Sequence, residues 1–562
     1  MSWDRLPFEI YVHIFKNLNF WDRKPLSLVC QRWNEVIFSR ALCRNLCIEL
    51  SRGDWSKNSN GGDDIENVRV LDEGVVETSH RDYRVVYVKW CKDSSSSVFN
   101  SIDRLLRGLS DKFQLEGMII DAPLGQHLAN FFRTHGDLLA RIRKLQVLTE
   151  CTESRLRLDR CMLKMDRLET LFWREIVPND QLELYRPWMV LQAPNLQSAV
   201  VRLGDSDTDH GIMWHNCFLE LDQCSNLNSL NIHLHARMWE RFFEQQLSSL
   251  EQLTLRHKTP NLEIRDWNVM FRNMPNLKSL QMWDVNDAIL EAINRHCNQL
   301  KVLLLDKVNL TRQFLLTDRV FPCLEHLRLE SGEIRSNRTL CLPVLQNLEW
   351  FNVTNQDNQI LNIFAPNLRY LRQAKHGQSD FILTHCVPSC LEKLQLDLYA
   401  SNIPDHLFRP FPNMRDFSVR ISSARPDLDR IVPNVKNINE FTLIAYNAPL
   451  QCDAMLGQMF KHCEQITSLT LCGFNPNLEL SFPVFAQIFR NRNLKYLKMF
   501  GLTITGHSFP LQLPPDLDKF DLRYIKVMDV AFGAYVFPPD GPFQIVCNKT
   551  EEFCCYFSKD CD

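Results

Sequence analysis

Glycine is the first thing this sequence lacks: 18 of 562 residues, well under the usual ~7 %. No glycine-rich phosphate loop is present, and no Gly-x-Ser-x-Gly turn that would carry a nucleophile. There are 20 cysteines, yet no Cys-x-x-Cys pair, which removes the usual frame of a structural zinc site. Charge of one sign is also missing. Lys and Arg number 64 against 67 Asp and Glu, a net −3, so neither nucleic acid nor an anionic membrane is an expected partner. No charge-free apolar run reaches the ~18 residues of a membrane span. The start, Met1-Ser2-Trp3-Asp4-Arg5-Leu6-Pro7, has no basic region followed by an apolar stretch, so it does not read as a secretory signal. The cysteines are then expected to be reduced thiols in a cytoplasmic and/or nuclear protein.

What is abundant is leucine, and it is uneven. Of 79 leucines, seven lie in residues 1–50, one in 51–100, 71 in 101–522 and none in 523–562. A fixed-period search finds the pattern L-x-x-L-x-L, with starts at Leu115, Ile142, Leu168, Leu196, Leu227, Leu250, Leu277, Leu300 and Leu324. It continues at Leu348, Leu368, Leu391, Met414, Ile438, Ile466, Leu494 and Leu517. These seventeen units are spaced 20 to 31 residues apart, and 50 of their 51 apolar slots are apolar, Gln373 being the exception. Pro-Asn leads into Leu196, Leu277, Leu368, Met414 and Val435. The second and third slots stand two residues apart, so they share one face of a short strand. Between strands the text turns helical or irregular, as in Asp287 to His296. One such unit cannot bury its apolar face alone, but stacked neighbours can. The pattern resembles the leucine-rich repeat in its long, cysteine-containing form. That resemblance implies an α/β solenoid over residues 115–522, a curved horseshoe with a parallel inner sheet roughly 80 Å along the arc. Tyr83 to Val88 reads as a degenerate earlier unit.

Residues 6–38 follow another rhythm. Leu6, Ile10, Ile14 and Leu18 recur every fourth residue with Phe15 beside them, one helical stripe. Asp22 is placed to cap a second helix, with Pro25 in its first turn and Leu26, Val29, Cys30 and Trp33 as its apolar face. So small a module with so much apolar surface is either a cap on the solenoid or a docking element. Its residues, Leu6-Pro7-x-Glu9-Ile10-x-x-x-Ile14-Phe15-x-x-Leu18 and then Leu26-Ser27-Leu28-Val29-Cys30-Gln31-Arg32-Trp33, resemble an F-box. The resemblance implies a three-helix fold that docks to a Skp-family adaptor and through it to a cullin. It carries Leu6, Pro7, Ile10, Ile14, Phe15, Leu18, Leu28, Val29, Cys30 and Trp33 into or beside the adaptor interface. The chain then divides into 1–48, the F-box; 49–114, a joint of loops and degenerate strands; 115–522, the repeats; and 523–562, a C-terminal cap or tail.

Catalytic and metal chemistry find little support. Cys224, Cys297 and Cys463 each precede a repeat start by three residues, and equal phase means equal environment, so they read as core thiols. Asp205 to His210 begins like a calcium loop but lacks glycine at its sixth position and the closing glutamate, which is Asn216. The expectation is no catalytic residue, no metal and no cofactor. Binding is expected on the concave face, where the third, fifth and seventh residues of each unit point. Across three units and the start of a fourth these give His326, Arg328, Trp350, Tyr370, Arg372 and Lys393, rings flanked by cations that suit a protein substrate. Tyr496, Lys498 and Phe500 form a second such cluster. The family resemblance implies a substrate-recognition subunit of an SCF-type ubiquitin ligase, acting by proximity rather than by chemistry of its own. Two alternatives remain at this stage: an interaction scaffold with no role in ubiquitination, and a receptor that needs a small ligand.

Overall fold

The structure is a computed structural model. It describes residues 6–16, 25–37, 46–51, 66–70, 84–90, 96–112, 114–151, 161–176, 189–203, 217–219, 224–235, 246–258, 264–310, 321–334, 339–355, 361–375, 381–383, 390–398, 411–421, 437–446, 453–462, 465–474, 478–505, 519–528 and 555–558. Packing divides the chain into two compact units, Met1–Leu277 and Lys278–Asp562.

The first unit opens with helix Phe8–Lys16, a helical turn at residues 25–29 and helix Gln31–Ile37. A parallel ladder follows. Leu46–Ser51 lies between Glu66–Val70 and Val85–Lys89, and the order then runs through Gly117–Leu124, Lys144–Cys151, Thr170–Ile176, Ser198–Leu203, Ser229–His235 and Gln252–Lys258. The degenerate unit at Tyr83 to Val88 thus supplies a strand. The ladder also starts earlier than the leucine pattern suggests, in the region read as a joint.

The second unit continues the same design. Ser279–Trp283, Val302–Leu310, His326–Ile334, Asn347–Asn355, Tyr370–Lys375, Lys393–Leu398, Asp416–Ile421, Glu440–Ala445, Ser468–Gly473, Tyr496–Thr505 and Lys519–Met528 pair in that order, all parallel. Cys555–Ser558 pairs antiparallel with Lys519–Met528. The leucine-free tail therefore contributes a short reversed strand.

The strands form where they do because the second and third slots of each unit alternate inward. Leu303 and Leu305, Leu327 and Leu329, Leu394 and Leu396, Phe417 and Val419 are all at most 6 % exposed. The asparagines that stand just before four of the units, three of them in Pro-Asn pairs, also have a physical account. The amide nitrogens of Asn195, Asn276, Asn367 and Asn437 donate to the carbonyls of Asp166, Ser248, Pro343 and Pro412, at 2.5–2.8 Å. Each bond runs from the residue before one repeat start to the residue two before the previous start. The asparagine satisfies a turn carbonyl that no strand partner reaches, and it fixes the stacking distance between units. The N-terminus of the helix Asp287–His296, which links two strands, is held by a side chain. Asn286 Oδ1 accepts from the Ile289 N–H at 3.1 Å and caps Asp287–His296.

Cys224 and Cys297 are core thiols, 3 % and 1 % exposed, as their phase implies. Burial pushes the Cys297 thiol up to about 12. Cys463 and the loop Asp205 to His210 lie outside the described residues.

Candidate functional site

The N-terminal module is built around Tyr11 and Phe15, one helical turn apart and both buried with Val36 and Ile37. Trp33 meets Phe15 edge-on at 5.2 Å and Tyr11 at 6.4 Å. Arg32 ties the two helices together. Its guanidinium lies 5.4 Å from the Tyr11 ring centre and donates to the Leu6 carbonyl at 2.7 Å. The Cys30 Sγ accepts from the Trp33 N–H at 3.4 Å, at the start of the helix Gln31–Ile37.

This packing sorts the residues that the sequence leaves unsorted. Phe15 is internal. Leu6, Ile14 and Trp33 are partly buried against the same cluster, and Cys30 is half-buried. Pro7 is exposed. Ile10, Leu28 and Val29 are 45 %, 87 % and 61 % exposed. Leu18 lies outside the described residues. Two expectations change. The buried stripe of the first helix runs through Tyr11 and Phe15, not through Ile10. The second helix does not run on to Trp33 with Val29 in its apolar face: the helical turn ends at Val29, and a separate helix starts at Gln31. Phe8, 44 % exposed, joins the exposed anchors and was missed because it falls between the helical stripes. Among the described residues of the module, four large apolar side chains thus stand in solvent outside the buried cluster.

On the second unit the strands align the predicted substrate residues as a grid. His326, Asn347, Tyr370, Lys393 and Asp416 share one register row. Arg328, Glu349, Arg372 and Gln395 share the next, and Glu330, Phe351, Ala374, Asp397 and Arg420 the third. His326, Arg328, Tyr370 and Arg372 are half-buried and Lys393 is exposed, all on the side of the sheet opposite the leucine core.

Trp350 is a correction. It pairs with Leu329 in the ladder, is 6 % exposed, and its indole N–H reaches the Val353 carbonyl at 3.4 Å. It fills a core slot. The unit starts at Leu345, three residues before the start read from the sequence, because Leu345-x-x-Leu348-x-Trp350 and Leu348-x-x-Phe351-x-Val353 both satisfy the apolar rule. Phe351 takes the place on the open face. Its ring lies under two guanidinium groups, Arg328 at 5.3 Å and Arg372 at 4.5 Å. Cation–π contact of this kind contributes ~0.5–1 kcal/mol at exposed sites and more when desolvated.

The cations of this grid are already engaged. Arg328 pairs with Glu330. Arg372 and Arg420 share Asp397 at 3.4 and 3.6 Å, and that carboxylate is 4 % exposed. Lys393 meets Asp416 at 2.5 Å and lies 5.9 Å from the Tyr370 ring centre. His326 meets Glu349 at 3.1 Å, and this hydrogen bond holds the Glu349 carboxyl below its ordinary range. Burial raises Asp306, one strand earlier in the row of Glu330, and the Glu330 charge adds to the effect. Burial likewise raises the Tyr370 hydroxyl. The arrangement is a pre-paired platform rather than a set of waiting cations.

The second cluster extends further than expected. Tyr496, Lys498 and Phe500 are half-buried on one face. Phe500 lies 5.3 Å from the ring of Phe474, which in turn stacks on Tyr446 at 5.3 Å. Phe474 is 42 % exposed.

Residues 3–49 match the F-box-like family model. No curated protein matches the chain. Solved structures similar to it include the mouse RP105/MD-1 complex, at 11 % identity and a TM-score of 0.40, covering 79 % of this chain and 79 % of that one. They also include PEPR1-AtPEP1, at 14 % identity and a TM-score of 0.20, covering 75 % and 76 %.

Proposed function

From an F-box-like domain joined to a leucine-rich-repeat body, we propose that this chain is the substrate-recognition subunit of an SCF-type ubiquitin ligase. The Skp-family adaptor sits on Pro7, Phe8, Ile10, Leu28 and Val29 and links the chain to a cullin. The repeat sheet holds a target protein by its open face and keeps the target's lysines near the ubiquitin-charged enzyme. The chain contributes proximity and orientation; the bond-forming groups belong to other subunits. The work is then that of the cytoplasm and/or nucleus, where that machinery resides.

One observation supports the reading: among the described residues, four large apolar side chains are exposed beside a buried cluster, in the segment that matches the F-box-like model. Exposed apolar surface of this kind marks an interface. The test is co-expression with a Skp-family adaptor and a cullin. The full chain co-purifies with both, and a chain lacking residues 1–45 does not. Equal recovery of the adaptor by the two forms sinks the proposal.

A further inference from the structure

Two features meet on neighbouring strands of the open face of the second unit. The first is a cation only half answered. Arg372 and Arg420 share the Asp397 carboxylate, at 3.4 and 3.6 Å. Arg372 has further company: its charge helps to hold the Glu349 carboxyl down, and its guanidinium lies over Phe351. Arg420 has neither. Glu349 lies three strands away from it, roughly 14 Å or more, and among the described residues Asp397 is the one carboxylate paired with Arg420. The Arg420 Nε is buried with no hydrogen-bond partner, while the side chain as a whole is 38 % exposed. Further along its row stand Ile444, Cys472 and Phe500, and in the adjacent row Ser418, Thr442 and Thr470; none is a carboxylate.

The second feature is the ladder of rings. Backbone pairing runs one step past the strands here. The Tyr446 N–H donates to the Ile421 carbonyl at 2.8 Å, and the Phe474 N–H to the Ala445 carbonyl at 2.7 Å. Tyr446 and Phe474 stand two residues beyond Ile444 and Cys472, on the same alternating face as Arg420. Phe474 lies 5.3 Å from the ring of Tyr446 and 5.3 Å from that of Phe500. A Cβ on Gly473 would stand 2.3 Å from the Gly501 carbonyl oxygen, so glycine at this place lets Phe474 close on Phe500. That middle ring is 42 % exposed. From Arg420 to Phe474 is two strands across and two residues along, about 12 Å.

We infer that this part of the sheet holds an extended protein segment in which a glutamate or aspartate stands four residues from a large apolar side chain, the carboxylate on Arg420 and the apolar group on Phe474. The inference deepens the proposed function by naming the chemistry of the bound segment, and rests on that reading only in calling the partner a substrate. Four residues of extended chain cover about 13 Å, and their first and last side chains project to one side, so both reach the sheet together. A guanidinium presents a planar fork that matches a carboxylate. A phosphate suits the place less well, because its second negative charge would face Asp397. The hydroxyls of Ser418, Thr442 and Thr470 offer hydrogen bonds to the backbone of the segment.

The experiment uses the full chain, with adaptor affinity measured on the same preparation. The probe is a fluorescent peptide, Gly-Ser-Glu-Ser-Gly-Ser-Phe-Gly-Ser, titrated at low salt beside three versions: glutamine for glutamate, phosphoserine for glutamate, and serine for phenylalanine. The parent peptide binds best of the four. Arg420→Gln weakens it about tenfold and leaves the glutamine version unmoved. Phe474→Ala weakens it about fivefold and leaves the serine version unmoved. Should Arg420→Gln fail to fold, Arg420→Lys replaces it; that variant keeps the charge, lacks the fork and loses about threefold. No binding of the parent peptide, equal loss of the parent and glutamine peptides in the Arg420 variant, or tighter binding of the phosphoserine version overturns the inference. So does self-association of the chain that Phe474→Ala abolishes, since a second copy then covers the rings. Peptide binding by a chain with no adaptor affinity upholds the inference while defeating the ligase reading, and adaptor binding without peptide binding does the reverse.

Discussion

Leu28 separates docking from folding within the N-terminal module. It is 87 % exposed and Val29 is 61 % exposed, so neither contributes much to the stability of the free chain. Each buried methylene is worth about 0.8 kcal/mol. Truncating Leu28 to alanine removes three carbons, about 2.4 kcal/mol once that side chain is buried by a partner, and truncating Val29 removes two. Allowing for the incomplete exposure of Val29, the double alanine variant loses about 3 kcal/mol of adaptor binding, roughly two orders of magnitude in Kd. Its own melting should barely move, by under about 0.5 kcal/mol. Phe15→Ala gives the opposite result. That ring is 3 % exposed, stacks against Tyr11 and meets Trp33 edge-on, so its loss costs about 3–5 kcal/mol of folding free energy. Calorimetry with purified adaptor reads the first quantity and helical circular dichroism of the module reads the second. Adaptor affinity within threefold of the parent after Leu28→Ala with Val29→Ala would refute the docking face.

Other outcomes follow from single sites. Gln373 occupies the one apolar slot that is not apolar; it is 4 % exposed and its Oε1 has no hydrogen-bond partner, so Gln373→Leu raises stability by about 1 kcal/mol, read as a higher denaturation midpoint. Cys297, with its thiol pushed up to about 12, resists iodoacetamide at neutral pH until the chain unfolds, whereas exposed Cys323 is alkylated in the folded protein, as peptide mapping would reveal. Burial lowers His135 below its ordinary 6.5 even though the Asp103 carboxylate lies 3.0 Å from its ring nitrogen. A histidine whose folded pKa is depressed binds its proton more readily in the unfolded chain, so its contribution is full above about pH 6.5 and is lost as pH falls below that value; His135→Gln flattens the melting curve over that window, and an unchanged pH slope would count against it.

The fold was legible wherever three apolar slots repeated at even spacing, because burial imposes that spacing directly. It failed at Trp350 because leucines at 342, 345 and 348 let two phases satisfy the same rule. A second signal was present. Proline stands two residues before Leu196, Leu277, Leu324, Leu368 and Met414, and Pro343 stands two before Leu345, the phase that the Asn367 bond to the Pro343 carbonyl also marks. The open face was harder. That Arg328 and Arg372 are already paired depends on which carboxylates the neighbouring strands bring alongside. In the F-box text every anchor is apolar, and only three-dimensional packing separates Phe15 from Leu28.

The clamp of Arg328 and Arg372 over Phe351 also bears on how a ligand's ionic-strength response would divide. Those side chains have their rotamers restricted before any partner arrives, so a complex formed over them avoids much of the ~0.5–1.5 kcal/mol otherwise spent ordering each one. Their charges are cancelled locally, so little long-range attraction reaches out to an approaching molecule. A complex formed over that clamp would rely on shape, at a rate nearly indifferent to salt. An association rate that rose steeply as salt was withdrawn would therefore place a partner's first contact elsewhere than on this clamp.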